Sequence, residues 1–165
     1  MTIVNPNHAE FKTQDAVSYN PVAQSFDRFV TQLSAPVAAR LVALAGLAPD
    51  NHVLDVGAGT GIVALRAVAE MGPSGRVVGI DLSDGMLEVA RQNARGRGLA
   101  DRVEFRKMDA ESLDCKDGSF DAVVSLFALR HFPHPETALQ EMHRVLRPGG
   151  RLVLAVGSGA PWLSL

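Results

Sequence analysis

The chain has 165 residues, enough for one domain around a single core and short for two. Hydrophobic residues make up 47% and charged residues 21%, with a mean hydropathy of +0.09, which excludes a disordered chain. Sixteen basic against eighteen acidic residues leave a net charge of −2, so no general attraction to nucleic acid is expected, and no apolar run approaches the roughly 18 residues that cross a bilayer.

Residues 1–21 are polar, carry Asn-Pro at 5–6 and 20–21, and read as a tail or lid ahead of a single domain over 22–160, with a short tail at 161–165. The start has neither the basic nor the apolar region of a secretion signal, and the one cysteine, Cys115, rules out an internal disulfide. Both features suit the cytoplasm. Between Asp114, Lys116 and Asp117, Cys115 reads as a surface-loop residue. Residues 22–46 carry a helical pattern through Phe26, Phe29, Val30, Leu33, Val37, Leu41 and Leu44, broken or kinked at Pro36 and stopped at Gly46. From there short apolar runs at 52–57, 76–80, 103–107, 121–127 and 151–156 predict strands. Helical spacing predicts helices over 62–71, 85–97 and 137–146. Parallel strands need long crossovers, so strand and helix in alternation predict an α/β fold, a doubly wound, mostly parallel sheet with N-terminal helices.

The first strand runs into Gly57-Ala58-Gly59-Thr60-Gly61, and the next residues open a helix. Such a turn brings backbone N–H groups against a ligand where side chains would collide, and the helix start adds unpaired donors. The plainer alternative is a glycine-rich connection with no ligand. Ligands of open parallel sheets bind beyond the carboxyl ends of the strands, where strand order reverses, so the other strand ends decide. The second strand ends in Asp81, twenty residues past Gly61, where a carboxylate can accept from ribose hydroxyls. Ser83 reads as a helix cap. The third strand runs into Asp109, placed to accept from an exocyclic amine of a base. Glycine turn and acidic strand ends together point to a nucleoside cofactor. The spacing is G-x-G-x-G, not the G-x-G-x-x-G of dinucleotide sites, and Asp55 in the strand disfavours a pyrophosphate while suiting a cationic amine or sulfonium.

The runs VLDVGAGTG, VVGIDLSDGML, MDAESL, FDAVVSLFALRHF and RVLRPGGRLVL, in that order, resemble the successive motifs of class I S-adenosylmethionine-dependent methyltransferases. They are most similar to the ubiquinone/menaquinone-biosynthesis type of small-molecule methyltransferase, over about residues 36–156. The resemblance implies a Rossmann-like methyltransferase fold with S-adenosylmethionine as cofactor. It implies Asp55, Gly57, Ala58, Gly59 and Gly61 at the methionine end and Asp81 on the ribose. Leu82 and Met86 would lie near the adenine, Asp109 at its amino group and Ala110 against the ring, with Ser125 facing the methionine or the substrate. For Met86 plain core packing stands beside adenine contact.

A sulfonium carries an already activated methyl group, so the protein has mainly to align a nucleophile and exclude water. Where the small-molecule acceptor must lose a proton, His131, His134 and Tyr19 are the candidate bases, the histidines reading otherwise as loop residues. Family members often have a histidine before this one, where this chain has Arg130. Metal-ligand spacing is absent, so no metal is expected. The resemblance also implies a further helix and an antiparallel strand pair after the fifth strand, where this sequence stops, so the fold is expected to be truncated there. The fifth strand would then form an apolar edge through which a second copy could pair. Two alternatives remain: a cofactor-binding domain without turnover, and a nicotinamide-dependent oxidoreductase.

Overall fold

The valine-rich runs at 52–56, 76–81 and 120–126 stack side by side because both of their faces are apolar. In the computed structural model, which describes residues 8–157, they are part of one five-stranded sheet. The strands are β1 (His52–Val56), β2 (Arg76–Asp81), β3 (Val103–Lys107), β4 (Phe120–Leu126) and β5 (Leu146–Ala155). Their order is β3-β2-β1-β4-β5 and every pairing is parallel. Strand order therefore reverses between β1 and β4, and the carboxyl ends of these two strands flank the crevice where such sheets bind ligands.

Alternate residues enter two cores, one on each face of the sheet. Val53, Val77, Phe105 and Val124 pack under α2 (Ala23–Ala45), α3 (Ile62–Glu70) and α4 (Asp84–Gly96). Leu54, Val56, Ile80 and Val123 pack under α5 (Pro135–Val145), which buries Ala138, Met142 and Val145 at helical spacing. Helices thus cover both faces.

Three local features differ from the sequence-based expectation. The polar segment read as a tail or lid contains a helix, α1 (His8–Tyr19), joined to α2 by a 3-10 turn at Asn20–Val22. Residues 1–7 of that segment, and the tail expected over 161–165, lie outside the described residues. The second helix runs through Pro36 without a break, since Ala38, Leu41, Val42 and Ala45 beyond it are held in the core. Strand β5 starts five residues early. Its pairing jumps from Phe120 opposite Leu146 to Ala122 opposite Arg151, so Arg147-Pro148-Gly149-Gly150 forms an irregularity inside the strand in place of a separate turn.

The N-terminal helices reach the site because α4 holds them. Asn20 Oδ1 accepts from Ser83 Oγ at 2.8 Å and from the Gly85 N–H at 2.9 Å. Asp27 Oδ1 accepts from Asn93 Nδ2 at 3.1 Å, and Tyr19 and Phe26 pack on a cluster of Ala23, Met86 and Val89.

Candidate functional site

A cavity of about 580 Å³ opens at the carboxyl ends of β1, β2 and β4, within the 300–1,000 Å³ common for small-molecule sites. Gly57, Ala58, Gly59 and Thr60 form one part of its wall, Asp81, Leu82, Met86, Met108, Asp109 and Ala110 a second. Both follow from the sheet, which delivers each strand end to one edge. Tyr19 and His131 line it as well; His134 does not, its ring being turned to Glu111 and His8 instead.

The glycine turn is built for a ligand at one position more than the others. Gly57, Gly59 and Gly61 all have positive φ. A Cβ on Gly57 would lie 2.2 Å from Ala128 Cβ, and one on Gly61 2.8 Å from the Phe105 ring, so these two glycines serve packing. At Gly59 a Cβ would meet nothing within 4 Å, and the residue lines the cavity, so its backbone is open to whatever enters there. Gly61 itself caps α3 and stays outside the lining.

Asp81 stands next to that space. Its Oδ2 accepts from the Gly59 N–H and its Oδ1 from the Ser83 N–H, both at 2.9 Å, which fixes the carboxylate and leaves one lone pair on each oxygen for a ligand hydroxyl. Burial pushes its carboxyl above the ordinary value, while the N–H groups of Ser83, Gly59 and Leu82 pull the other way. Ser83 caps α4 through the Met86 N–H, as expected. Met86 satisfies both readings, packing in the α4 cluster and lining the cavity.

Asp55 lies beneath the turn, 1% exposed, with Oδ2 accepting from the Ala64 N–H at 2.9 Å and Oδ1 buried with no partner. Burial, opposed by the Ala64 N–H and reinforced by Asp81, pushes its pKa up to about 7. An unpaired acceptor under a glycine turn suits a cationic ligand and opposes a pyrophosphate. The donors and acceptors present therefore fit a positively charged nucleoside. Ser125 does not face the cavity: it is buried, and its hydroxyl donates to the Val56 carbonyl at 2.7 Å, tying β4 to β1.

Residues from α1 complete the site; of these the sequence pointed to Tyr19 but not to Lys12 or Asp15. Lys12 reaches across to Asp109 Oδ2 at 2.8 Å and Glu111 Oε2 at 2.6 Å. Burial opposes the Lys12 charge, but the two carboxylates outweigh it and hold the ammonium above its usual range. Asp15 Oδ2 lies 3.1 Å from His131 Nδ1. The His131 turn follows Phe127, the single non-glycine residue with positive φ (59°) among the described residues, and strain of this kind gathers at functional sites. A motif search could have noted Lys12 and Asp15 as charges three residues apart in the polar N-terminal segment, nothing more. No cluster of three or more His, Cys, Asp or Glu suited to a metal ion occurs among the described residues.

Comparison with known proteins agrees with this geometry. A profile of the methyltransferase domain family matches residues 54–154. The ubiquinone/menaquinone biosynthesis C-methyltransferase UbiE of Ectopseudomonas mendocina is 43% identical over 113 residues, which cover 68% of this chain and 44% of that protein. This chain thus spans less than half the length of the curated relatives it matches. Among solved structures, the [4+2]-cyclase SpnF superposes with a TM-score of 0.79 at 28% identity, covering 87% of this chain and 59% of that one. A putative methyltransferase from Bacillus halodurans C-125 superposes at 0.67 and 38% identity, covering 73% and 51%. Since the profile covers more than half of the residues, from the first strand through the fifth, the chain belongs to the methyltransferase domain family.

Proposed function

We propose that this chain binds S-adenosylmethionine along the carboxyl ends of β1, β2 and β3 and transfers its methyl group to a small-molecule acceptor. The observation that carries the reading is the open space at Gly59 beside the fixed Asp81 carboxylate, in one cavity with Asp109. S-adenosylmethionine is the cofactor. Gly57, Ala58 and Gly59 meet its methionine part, with Asp55 beneath the turn and outside the cavity lining, its unpaired Oδ1 an acceptor under the glycines, and Asp81 holds the ribose hydroxyls. Leu82, Met86 and Ala110 enclose the adenine, whose amino group meets the Asp109 carboxylate that Lys12 shares. Gly61 and Ser125 support this arrangement from outside the cavity. Carbon stands first among acceptor atoms because the UbiE relatives are named C-methyltransferases.

No helix among the described residues is long and apolar enough to cross a membrane. A cytoplasmic location agrees with the single cysteine, and pairing of two copies through the β5 edge agrees with a strand that is bonded on one side only among the described residues. Methyltransferase relatives favour transfer over a cofactor-binding domain without turnover and over a nicotinamide enzyme. SpnF, a cyclase on the same fold, is the reason to test chemistry separately from binding.

Calorimetric titration with S-adenosylhomocysteine, S-adenosylmethionine and NADH is the test. Binding of the first two is expected, and Asp81→Ala should weaken it by about 1–3 kcal/mol, the range for hydrogen bonds to a charged group. Binding of NADH alone would overturn the reading. Transfer of labelled methyl into a metabolite extract then separates a methyltransferase from a SpnF-like use of the fold.

A further inference from the structure

The glycine turn and the acidic strand ends are used by the cofactor; the part of the cavity formed by α1 and the turn at Leu129–His131 is not. We propose that Asp15 and His131 form a carboxylate–imidazole dyad that takes a proton from the methyl acceptor, and that the acceptor is a phenol, an enol or another compound with an ionisable O–H or C–H at or beside its reacting atom. This rests on the methyl-transfer reading above and names the acceptor chemistry it leaves open.

Three observations carry it. His131, Asp15 and Tyr19 line the same cavity, and the side chains of His131 and Asp15 are 27% and 29% exposed, partly withdrawn from water. The 3.1 Å contact joins His131 Nδ1 to a carboxylate oxygen. A carboxylate only accepts, so the ring proton of the neutral imidazole sits on Nδ1 and the lone pair on Nε2, which no hydrogen bond engages among the described residues. The Tyr19 ring stands edge-on to the imidazole at 5.7 Å between centroids and 78° between planes, limiting its rotation. Tyr19 is a wall and not a second base: burial, reinforced by Asp15 and Asp81 and opposed by Arg130, holds its phenol above the ordinary value, so it stays protonated near neutrality.

In the step, Nε2 accepts the proton while the acceptor's freed electron pair, on the reacting atom or delivered to it by conjugation, forms the new bond to the methyl carbon. The pair of the broken S–CH₃ bond stays on sulfur. The imidazolium then has the Asp15 carboxylate as its partner at Nδ1 and returns its proton to water. Asp15 acts through His131 and is a positioning residue. Because it sits on α1 while His131 follows β4, docking of α1 and alignment of the base are one event. An acceptor without such a proton, a thioether or a tertiary amine, gains nothing from the dyad.

Two measurements on the full chain test this. Long-range ¹H–¹⁵N correlation of the histidines at mildly alkaline pH, with His131→Gln to assign the signal, should give the Nδ1–H tautomer in the parent chain and the Nε2–H tautomer in Asp15→Ala. Labelled methyl transfer to catechol, a cyclic 1,3-diketone, dimethylaniline and a dialkyl sulfide, across a pH series, should favour the first two acceptors. There Asp15→Ala should lower kcat about 100-fold, within the range for acid–base catalysis, and Asp15→Glu should restore part of it. S-adenosylhomocysteine affinity should stay within about fivefold of the parent's in all three variants, the most that loss of one ion pair of about 1 kcal/mol docking α1 can transmit. The Nε2–H tautomer in the parent chain, an Asp15→Ala chain with parental kcat, transfer confined to the amine and sulfide, or no transfer by a chain that binds S-adenosylhomocysteine would each overturn the proposal. Failure of the parent chain to bind S-adenosylhomocysteine would instead overturn the methyl-transfer reading.

Discussion

Gly59 and Asp55 were both legible in the sequence as parts of a motif, yet what each does there depends on surroundings no motif states. Gly59 has φ +54° with open space beside it, whereas Gly61, at φ +90°, is hemmed by the Phe105 ring. Gly59→Ala should therefore cost stability only the left-handed backbone strain, about 1–2 kcal/mol, while S-adenosylhomocysteine affinity falls about 100-fold as the methyl group enters ligand space. Gly61→Ala should lose more stability than Gly59→Ala, because the ring must move too. Urea unfolding and calorimetry on both variants check this, and equal losses of affinity and stability in Gly59→Ala would place the ligand elsewhere. Asp55 makes a pH prediction. Its folded pKa of about 7 lies above the ordinary 3.8, so the fold holds the proton more tightly than the unfolded chain does. The contribution is present in full below about pH 4, declines as pH rises towards 7 and is gone above it. Asp55→Asn should flatten that decline, so that its stability relative to the parent chain rises between pH 5 and 8 by up to about 3 kcal/mol, since about two of the three pKa units fall in that window. A constant difference between the two chains across this range would refute the buried, raised carboxyl.

Helices α3, α4 and α5 could be read from the sequence because each buries apolar residues at helical spacing; α1 could not, because it buries none. Apart from Tyr19 at its end, which packs on Met86 and Val89, what docks it is polar and distant: Lys12 to Asp109 and Glu111, Asp15 to His131, and His8 Nδ1 to His134 Nε2 at 2.8 Å, across 97 to 126 residues of chain. Partners that far apart leave no periodicity behind. The same fact sets the mechanics of the lid. Partly exposed ion pairs contribute about 1 kcal/mol or less each and are screened by salt, so α1 should open locally while the sheet stays closed. Hydrogen exchange should be faster over 8–19 than in β1 or β4, should accelerate there as salt is raised, and should slow when S-adenosylhomocysteine is bound. Lys12→Ala should speed exchange in α1 at low salt with no change in β1. Exchange in α1 as slow as in the sheet, and indifferent to salt, would mean that something other than these pairs holds it. Pro36 marks the opposite error, a local signal overruled by packing: it is exposed on α2, so water can take the carbonyl it frees, and the buried Ala38, Leu41 and Val42 keep the helix going.

At the scale of the whole molecule, alternation of strands and helices was enough to give a parallel sheet, and the reversal of strand order between β1 and β4 explains why one edge collects Gly59, Asp81, Asp109 and His131 from four separate stretches of chain. The sequence also led to the expectation that the fifth strand forms an apolar edge, but not to how exposed its faces are. β5 bonds to β4 through Ala122–Leu126, has a half-exposed burial pattern, and presents Leu152 and Val156 to solvent at 37% and 57%. Among the described residues β5 is bonded on one side only, which leaves an edge that another strand can pair with. Pairing with a second copy would run the two β5 strands antiparallel about a two-fold axis, the symmetry that lets one edge meet itself. A charge placed there blocks such pairing, as lysines do on natural edges. Light scattering should therefore show mass rising towards that of a dimer as concentration increases, and Leu152→Lys should hold the chain at the mass of one copy while leaving S-adenosylhomocysteine binding unchanged, because Leu152 is not among the residues lining the cavity. A parent chain that stays at the mass of one copy at high concentration, or a Leu152→Lys chain that still associates, would rule out the β5 edge as the contact.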